Sequence, residues 1–344
     1  MSSGGAVEIE SQRLIGRVGS AEPGEPLLVV IAGLHGNEPA GVRAAERVLA
    51  ALAASQIEVR GELVALRGNV RALAQGRRFL HRDLNRGWTR DAVDALRNGG
   101  AASGAGHAEE SRGSGDEPPR SYEPRRVASD ELPRVASEDL EQRELITTID
   151  ALAAQARGPR VCIDLHTTSA DGIPFVIVGE HRAARDLALE FGLPVVGGLF
   201  GSLRTVMMEY LWNAGFQAFA VEGGQNDRSE SIDHHEAILW IALATLGMIR
   251  PGAAPDLETR RRTLAHVRGE LPHLMHVHHR HALRPDDQFR MEPGFANLQR
   301  VEVGQLLAHD RNGEIRAPES GVLVMPLYQS LGDDGFFLGR EIAS

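Results

Sequence analysis

The chain has 344 residues, 42% of them hydrophobic and 24% charged, enough at roughly 150 residues per domain for about two domains with a sizeable core. Its 37 basic side chains against 47 acidic ones give a net charge of −10, and all 37 are arginine, because no lysine occurs. These counts exclude Schiff-base chemistry and a P-loop lysine, and they speak against nucleic acid as a partner. The single cysteine, Cys162, excludes an internal disulfide and any multi-thiolate metal site, so a metal must be held by His and carboxylate. Met1 to Glu10 lacks a basic region followed by an apolar one, and the longest apolar run, Ile238 to Ile249, is too short to cross a bilayer. A cytoplasmic protein with no membrane partner is expected.

In chain order, Leu27 to Ala32 is a continuous apolar run ending at Gly33, the pattern of a strand buried on both faces. A helix should follow from Pro39, with Val42, Ala45, Val48, Leu49 and Leu52 at helical spacing. Further strands are expected at Glu62 to Leu66, Val161 to Leu165, Phe175 to Val178 and Ala218 to Val221. Helices are expected at Glu141 to Ala156, Ala183 to Phe191, Ser202 to Asn213 and Ile232 to Met248. This alternation predicts an α/β fold with a mixed, largely parallel sheet flanked by helices. Residues 1–250 would form the main domain.

Asn98 to Leu140 interrupts that domain. It is crowded with Gly, Ser, Pro, Glu and Arg and too poor in apolar residues to offset the cost of ordering, so a disordered insertion is expected. Within it Arg126 to Pro133 is nearly repeated by Arg134 to Glu141, which reads as a duplication inside a surface loop. Pro251 to Pro255 reads as a linker. Beyond it, short runs at Val277 to Arg280, Leu306 to Ala308 and Val322 to Pro326 between turn residues predict a small β-rich domain over 260–344.

The chemistry concentrates at predicted strand ends. Gly33-Leu34-His35-Gly36-Asn37-Glu38 puts an imidazole and a carboxylate three residues apart at the carboxyl edge of the sheet, where ligands of open α/β sheets bind. Asp164-Leu165-His166 delivers a second imidazole to the same edge, so His35, Glu38 and His166 would form a His, Glu, His set with an open fourth position, as in catalytic zinc sites. Zinc there would bring the pKa of a bound water near 7. Glu222, before Gly223 and Gly224 at a third strand end, offers a carboxylate to take the proton from that water. Arg78 to Arg86 packs three arginines and an asparagine into a loop suited to gripping carboxylates or a developing oxyanion. Each motif alone has a plainer explanation, a turn histidine or a solvated charge; their joint appearance carries the reading.

Taken together these motifs resemble the zinc-dependent succinylglutamate desuccinylase and aspartoacylase family, of the zinc carboxypeptidase superfamily, over about Leu27 to Gln225 and more loosely the tail. The resemblance implies a zinc carboxypeptidase-like fold, one zinc per chain held by His35, Glu38 and His166, and Asn85 and Arg86 of Asp83-Leu84-Asn85-Arg86 on the substrate carboxylate. It assigns polarisation of the scissile carbonyl to Arg78 and the general base to Glu222, and it matches Tyr328 to a tyrosine that the tail places over the site. The implied reaction is hydrolysis of the amide of a small N-acyl amino acid or related N-acyl amine, with self-association left open. Aspartoacylases carry a further Arg shortly before the catalytic Glu; Tyr210 to Ala220 contains no basic residue, so selectivity for N-acetylaspartate is not implied.

Two other functions compete: a zinc carboxypeptidase acting on short peptides, which needs an open groove, and a catalytically silent zinc-binding protein, which needs a missing catalytic position. A rival metal site, His273 to His281, lacks an interspersed carboxylate. His234 and His235 are expected on the exposed first turn of their helix, and Asp164 is expected to brace a ligand histidine or cap its strand.

Overall fold

The structure is a computed structural model and describes residues 12–101, 136–203, 205–284 and 286–342. Its centre is β2 (Leu27–Ala32), buried at all six positions. The strand's two sets of alternating side chains feed two cores. Leu28, Val30 and Ala32 pack with Val42, Val48 and Leu52 of α1 (Ala40–Ala54) and with Ile238 and Trp240, whereas Leu27, Val29 and Ile31 pack with Trp88, Ile149 and Leu211. Each fully buried aliphatic side chain of this kind contributes about 1.5–3 kcal/mol, which is why an unbroken apolar run specifies a central strand.

On either side of β2 lie β3 (Glu62–Arg67) and β4 (Arg160–Thr168), both parallel to it, and β4 continues to β7 (Gln217–Gln225), also parallel. The edge strand β1 (Leu14–Gly19) runs antiparallel to β3. Beyond β7 come β5 (Phe175–Val178), antiparallel to it, and β6 (Val195–Gly197), parallel to β5. The tail does not break this sheet. β8 (Leu274–Ala282) pairs in parallel with β6, and β14 (Asp334–Glu341), β13 (Gly321–Val324) and β10 (Gln299–Val301) extend it by antiparallel pairing to eleven strands among the described residues. β9 (Arg290–Met291), β11 (Leu306–Asp310) and β12 (Gly313–Arg316) form a small separate sheet. The expected mixed, largely parallel sheet with a β-rich C-terminal part is therefore present.

The short elements α2 (Val70–Leu73) and α3 (Arg90–Arg97) follow β3, and α4 (Ser137–Gln155) precedes β4. α5 (Arg182–Leu189) and α6 (Leu199–Ser202) flank β6, α7 (Met207–Asn213) leads into β7, and α8 (Glu230–Thr245) leaves it. Helix α8 is apolar nearly all round because it is enclosed between the sheet, α1 and the next helix; no helix among the described residues is long and apolar enough to cross a membrane.

Three expectations need correction, and one strand, β1, was not expected. The stretch 202–213 is not one helix: it breaks between α6 and α7, where Thr205 adopts φ +64°. A helix, α9 (Leu257–Arg268), stands where the linker was expected to lead into β structure; it buries only Leu264 and is tied down by Arg260–Glu236 at 2.7 Å, so it carries almost no apolar periodicity. β1 is a half-exposed strand containing glycine and arginine and gives no clear alternation. Finally, α4 begins at Ser137, inside the span 98–140 expected to be disordered, because Glu138, Asp139, Glu141 and Gln142 are buried against charged and backbone partners and not against apolar ones. The rest of that span from residue 102, and all but the last six residues of the tandem octamer pair, lie outside the described residues.

Candidate active site

β2 ends at Gly33, whose φ of +69° turns the chain sharply, and the following loop carries His35 and Glu38. Gly36 is required by contact: a Cβ there would fall 2.2 Å from the carbonyl carbon of Ala72, so the loop packs directly on the backbone of α2. Its N–H donates to the Arg78 carbonyl at 3.1 Å, linking this loop to the arginine-rich one. In β4, Asp164 and His166 are two residues apart and share a face; His166 lies beside Glu222 of β7 in the register.

Three distant segments thus meet. Glu38 directs Oε1 to His35 Nδ1 at 2.8 Å and Oε2 to His166 Nδ1 at 3.0 Å, and the two rings lie 5.0 Å apart. One ligating atom from each of the three falls within 4.8 Å of the others, and all three side chains are buried. Carboxylates hold the outer nitrogens: Asp83 Oδ1 is 3.1 Å from His35 Nε2, and Asp164 Oδ2 is 2.9 Å from His166 Nε2. This is how ligand imidazoles are oriented, with the far nitrogen fixed so that the near one faces the metal. Two imidazoles, one carboxylate and their bracing acids suit a divalent cation such as zinc.

Charge is tightly organised here. Burial alone would raise the Glu38 and Asp83 carboxyls, but His35 and His166 around Glu38, and His35 and Arg78 around Asp83, hold both well below the ordinary range. Arg78 spans the two, 3.4 Å from Glu38 and 3.1 Å from Asp83, and lines the same cavity. Glu222 is the exception. It is buried, its Oε2 has no hydrogen-bond partner among the described residues, and burial pushes its carboxyl up to about 7.

A cavity of about 110 Å³ joins these groups. His35, Glu38, His166, Glu222, Arg78, Asn85 and Arg86 all line it. Asn85 Oδ1 accepts from the Met207 N–H at 3.1 Å, which docks the loop on the start of α7, and Arg86 lies 3.5 Å from Asp333 and 3.7 Å from Asp334 at the cavity rim. Phe200, Val206, Met208 and Phe337 provide apolar wall. Tyr328 is not brought into the cavity: its neighbours Leu327 and Gln329 line it, while its hydroxyl donates to the Glu292 carbonyl at 2.7 Å and accepts from the Phe295 N–H at 2.9 Å. Those two bonds to the 292–295 loop hold the Tyr328 hydroxyl away from the cavity.

Two features, at Asp83 and His235, differ from what the sequence suggests. Asp83 braces His35; the signal was its place in Asp83-Leu84-Asn85-Arg86, which suggested no contact with a histidine. Asp164 does brace His166. His235 is fully buried, not exposed on a first turn: α8 starts at Glu230, and the ring fills the space above Gly223, where a Cβ would sit 2.3 Å from its Nε2. The stretch His273 to His281 forms no metal group among the described residues.

A mixed α/β sheet with a His, Glu, His set and a buried carboxylate at its carboxyl edge has the architecture of a hydrolase with a candidate metal centre. The model of the succinylglutamate desuccinylase/aspartoacylase catalytic domain matches residues 25–237, and the chain belongs to that family, a family of deacylases. Among curated relatives it is 40% identical over 65 residues to the succinylglutamate desuccinylase of Photorhabdus laumondii, covering 19% of this chain and 20% of that protein. The corresponding enzyme of Pseudomonas putida is 42% identical over 59 residues, covering 17% and 18%. The matched stretch thus spans about a fifth of the length of these relatives. Solved structures agree in fold over far more of the chain. The succinylglutamate desuccinylase of Vibrio parahaemolyticus has a TM-score of 0.59 at 14% identity, covering 95% of this chain and 86% of that one, and a succinylglutamate desuccinylase/aspartoacylase from Rhodobacter sphaeroides reaches 0.60 at 15%, covering 94% and 87%.

Proposed function

We propose that the protein is a zinc-dependent deacylase that hydrolyses the amide of a small N-acyl amino acid. The observation that carries this reading is the convergence of His35, Glu38 and His166 on one point, in the same cavity as the unpartnered carboxylate oxygen of Glu222. His35, Glu38 and His166 would hold the zinc, which when bound supplies a Lewis acid for the carbonyl and acidifies water.

The chain's own groups do the rest. Glu222, buried and with a free oxygen, accepts a proton from the attacking water there and returns it to the leaving nitrogen. Arg78 is fixed by Glu38 and Asp83, and its guanidinium faces the cavity as a donor for the carbonyl oxygen as negative charge develops there. Asn85 and Arg86 bind the free carboxylate of the substrate, and the apolar wall from Phe200 to Met208 excludes water from the reacting atoms. The segment from Met325 to Asp334 supplies one wall of the cavity, a restriction that favours a small molecule over a peptide chain and so speaks against a carboxypeptidase.

The test is a panel of N-acetyl and N-succinyl amino acids, together with short peptides, assayed with zinc supplied, after chelation and after zinc is restored. Turnover of N-acyl amino acids that is lost on chelation and regained with about one zinc per chain is the expected result. Full turnover in the chelated protein, or cleavage of peptides alone, would refute the proposal.

A further inference from the structure

Helix α4 begins with an unusual concentration of buried polar side chains. Glu138 and Glu141 are one helical turn apart, both fully buried, and each accepts from backbone N–H groups of the segment between β3 and α3. Glu141 takes the N–H groups of Val70 and Arg71 at 3.1 and 3.0 Å, and its charge is met by Arg13 and Arg71. Glu138 takes the N–H groups of Leu80 at 2.6 Å, His81 at 3.1 Å and Arg82 at 3.4 Å. A third contact runs the other way, from Arg82 to Asp139 at 2.7 Å and to Gln142, while Arg82 also donates to the Arg86 carbonyl at 3.1 Å.

The first turn of α4 therefore grips both ends of an irregular segment whose next residues are Asp83, Asn85 and Arg86, and whose Arg78 lies two residues before Leu80. That segment has no strand or helix to fix it beyond α2. Two carboxylates act as the acceptors that a sheet partner would otherwise provide. A loop so held keeps its side chains in place before any ligand arrives, and misplacement of such groups by about 1 Å can cost on the order of 10²-fold in rate.

We infer that Glu138 is a positioning residue: its carboxylate, through three backbone N–H groups, sets where Arg78, Asn85 and Arg86 stand in the cavity. This rests on the proposed deacylase reading for its consequence, though not for its geometry. Glu138→Gln preserves size but turns an amide NH2 toward backbone donors on one side, so part of the clamp is lost whichever way the amide lies.

The experiment compares wild type, Glu138→Gln, Glu138→Asp and Asp150→Asn as zinc-loaded full chains. Asp150 lies later on α4 and binds Arg97 and Tyr210, away from the cavity, so its variant reports the cost of merely weakening the helix. For N-acyl amino acids, Glu138→Gln is expected to raise KM about 10-fold or more with the metal content unchanged. Glu138→Asp, which keeps the charge, should recover part of that loss, and Asp150→Asn should lower thermal stability without moving KM. Amide exchange at Leu80, His81 and Arg82, measured with no substrate present, should quicken in Glu138→Gln and not in Asp150→Asn. Unchanged exchange at these three amides would overturn the inference, as would a KM change matched by Asp150→Asn. If the wild type hydrolyses no member of the panel, the function falls and the exchange measurement alone decides whether Glu138 holds the loop.

Discussion

His35 and His166 stand at the carboxyl ends of parallel strands, whereas His276, His278, His279 and His281 follow one another along β8, further across the same sheet. In the first region each ring is held by one carboxylate of its own segment and one from a distant segment: His35 by Glu38 and Asp83, His166 by Asp164 and Glu38. In the second, His278 meets Glu319 at 2.9 Å, while His281 stacks on Phe336 with ring centres 5.0 Å apart and an interplanar angle of 3°. Local abundance of imidazole is therefore a poor guide to metal binding. A strand sends successive side chains to opposite faces, so neighbours in sequence diverge, and a ligand set forms where separate strand ends and loops converge.

The widest separation between the regions should appear on removing a ligand. H166A is expected to abolish stoichiometric zinc and turnover, whereas H278A should change neither, as judged by metal analysis and the N-acyl amino acid assay. D164N, which frees the far nitrogen of His166, should weaken zinc by about 10–100-fold. If H278A lost zinc and H166A kept it, the assignment of the two regions would be reversed.

Next in size is E222Q, expected to lower the rate by about 10²–10⁴-fold while zinc is retained. The same variant tests burial. The Glu222 carboxyl titrates near 7 in the folded chain against 4.5 ordinarily, so the folded state keeps its proton longer than the unfolded state does. Ionising it costs stability that is absent below about pH 4.5, grows as pH rises and is complete above about 7. In the chelated protein at pH 8, E222Q should thus be more stable than wild type, by about 3 kcal/mol at most at about 1.36 kcal/mol per pH unit, and the gain should vanish near pH 4.5. Equal stability at pH 8 would place the Glu222 side chain in water.

R86A is expected to raise KM for N-acyl amino acids by about 10–100-fold, the worth of a charged hydrogen bond, and to leave the corresponding N-acyl amines without a carboxylate nearly unchanged. Equal losses for both classes would remove Arg86 from carboxylate recognition.

Much of this arrangement is legible in the sequence. The unbroken run Leu27 to Ala32 could be satisfied only by burial on both faces, and His35, Glu38, His166 and Glu222 are readable because each sits at or just beyond the end of such a strand. The grip of α4 on the active-site loop is not legible. Glu138 and Glu141 lie in a stretch whose composition matches disorder, and what orders them is backbone N–H groups more than 50 residues away, which no local pattern records. α9 escapes for a related reason, since ion pairs and one leucine replace the usual apolar stripe. Tyr328 shows the opposite error: a residue of the right type near the cavity, whose hydroxyl is bound to the backbone of Glu292 and Phe295 instead.

The smallest effect lies in the second histidine region and completes the comparison. The stack of His281 on Phe336 should be worth about 1 kcal/mol, so H281A is expected to lower stability by that amount with zinc content and turnover untouched. Burial, reinforced by the nearby His279, holds the His281 ring below the ordinary histidine range, so the folded chain prefers it neutral. The unfolded chain then takes up the proton first as pH falls, and the stack's contribution, present above about pH 6.5, is lost as the solution becomes more acidic. The difference between wild type and H281A in denaturant unfolding should accordingly be largest near pH 8 and shrink toward pH 5. A difference that grew on acidification would mean that His281 gains an acidic partner when charged, and that the two histidine regions are held by the same chemistry after all.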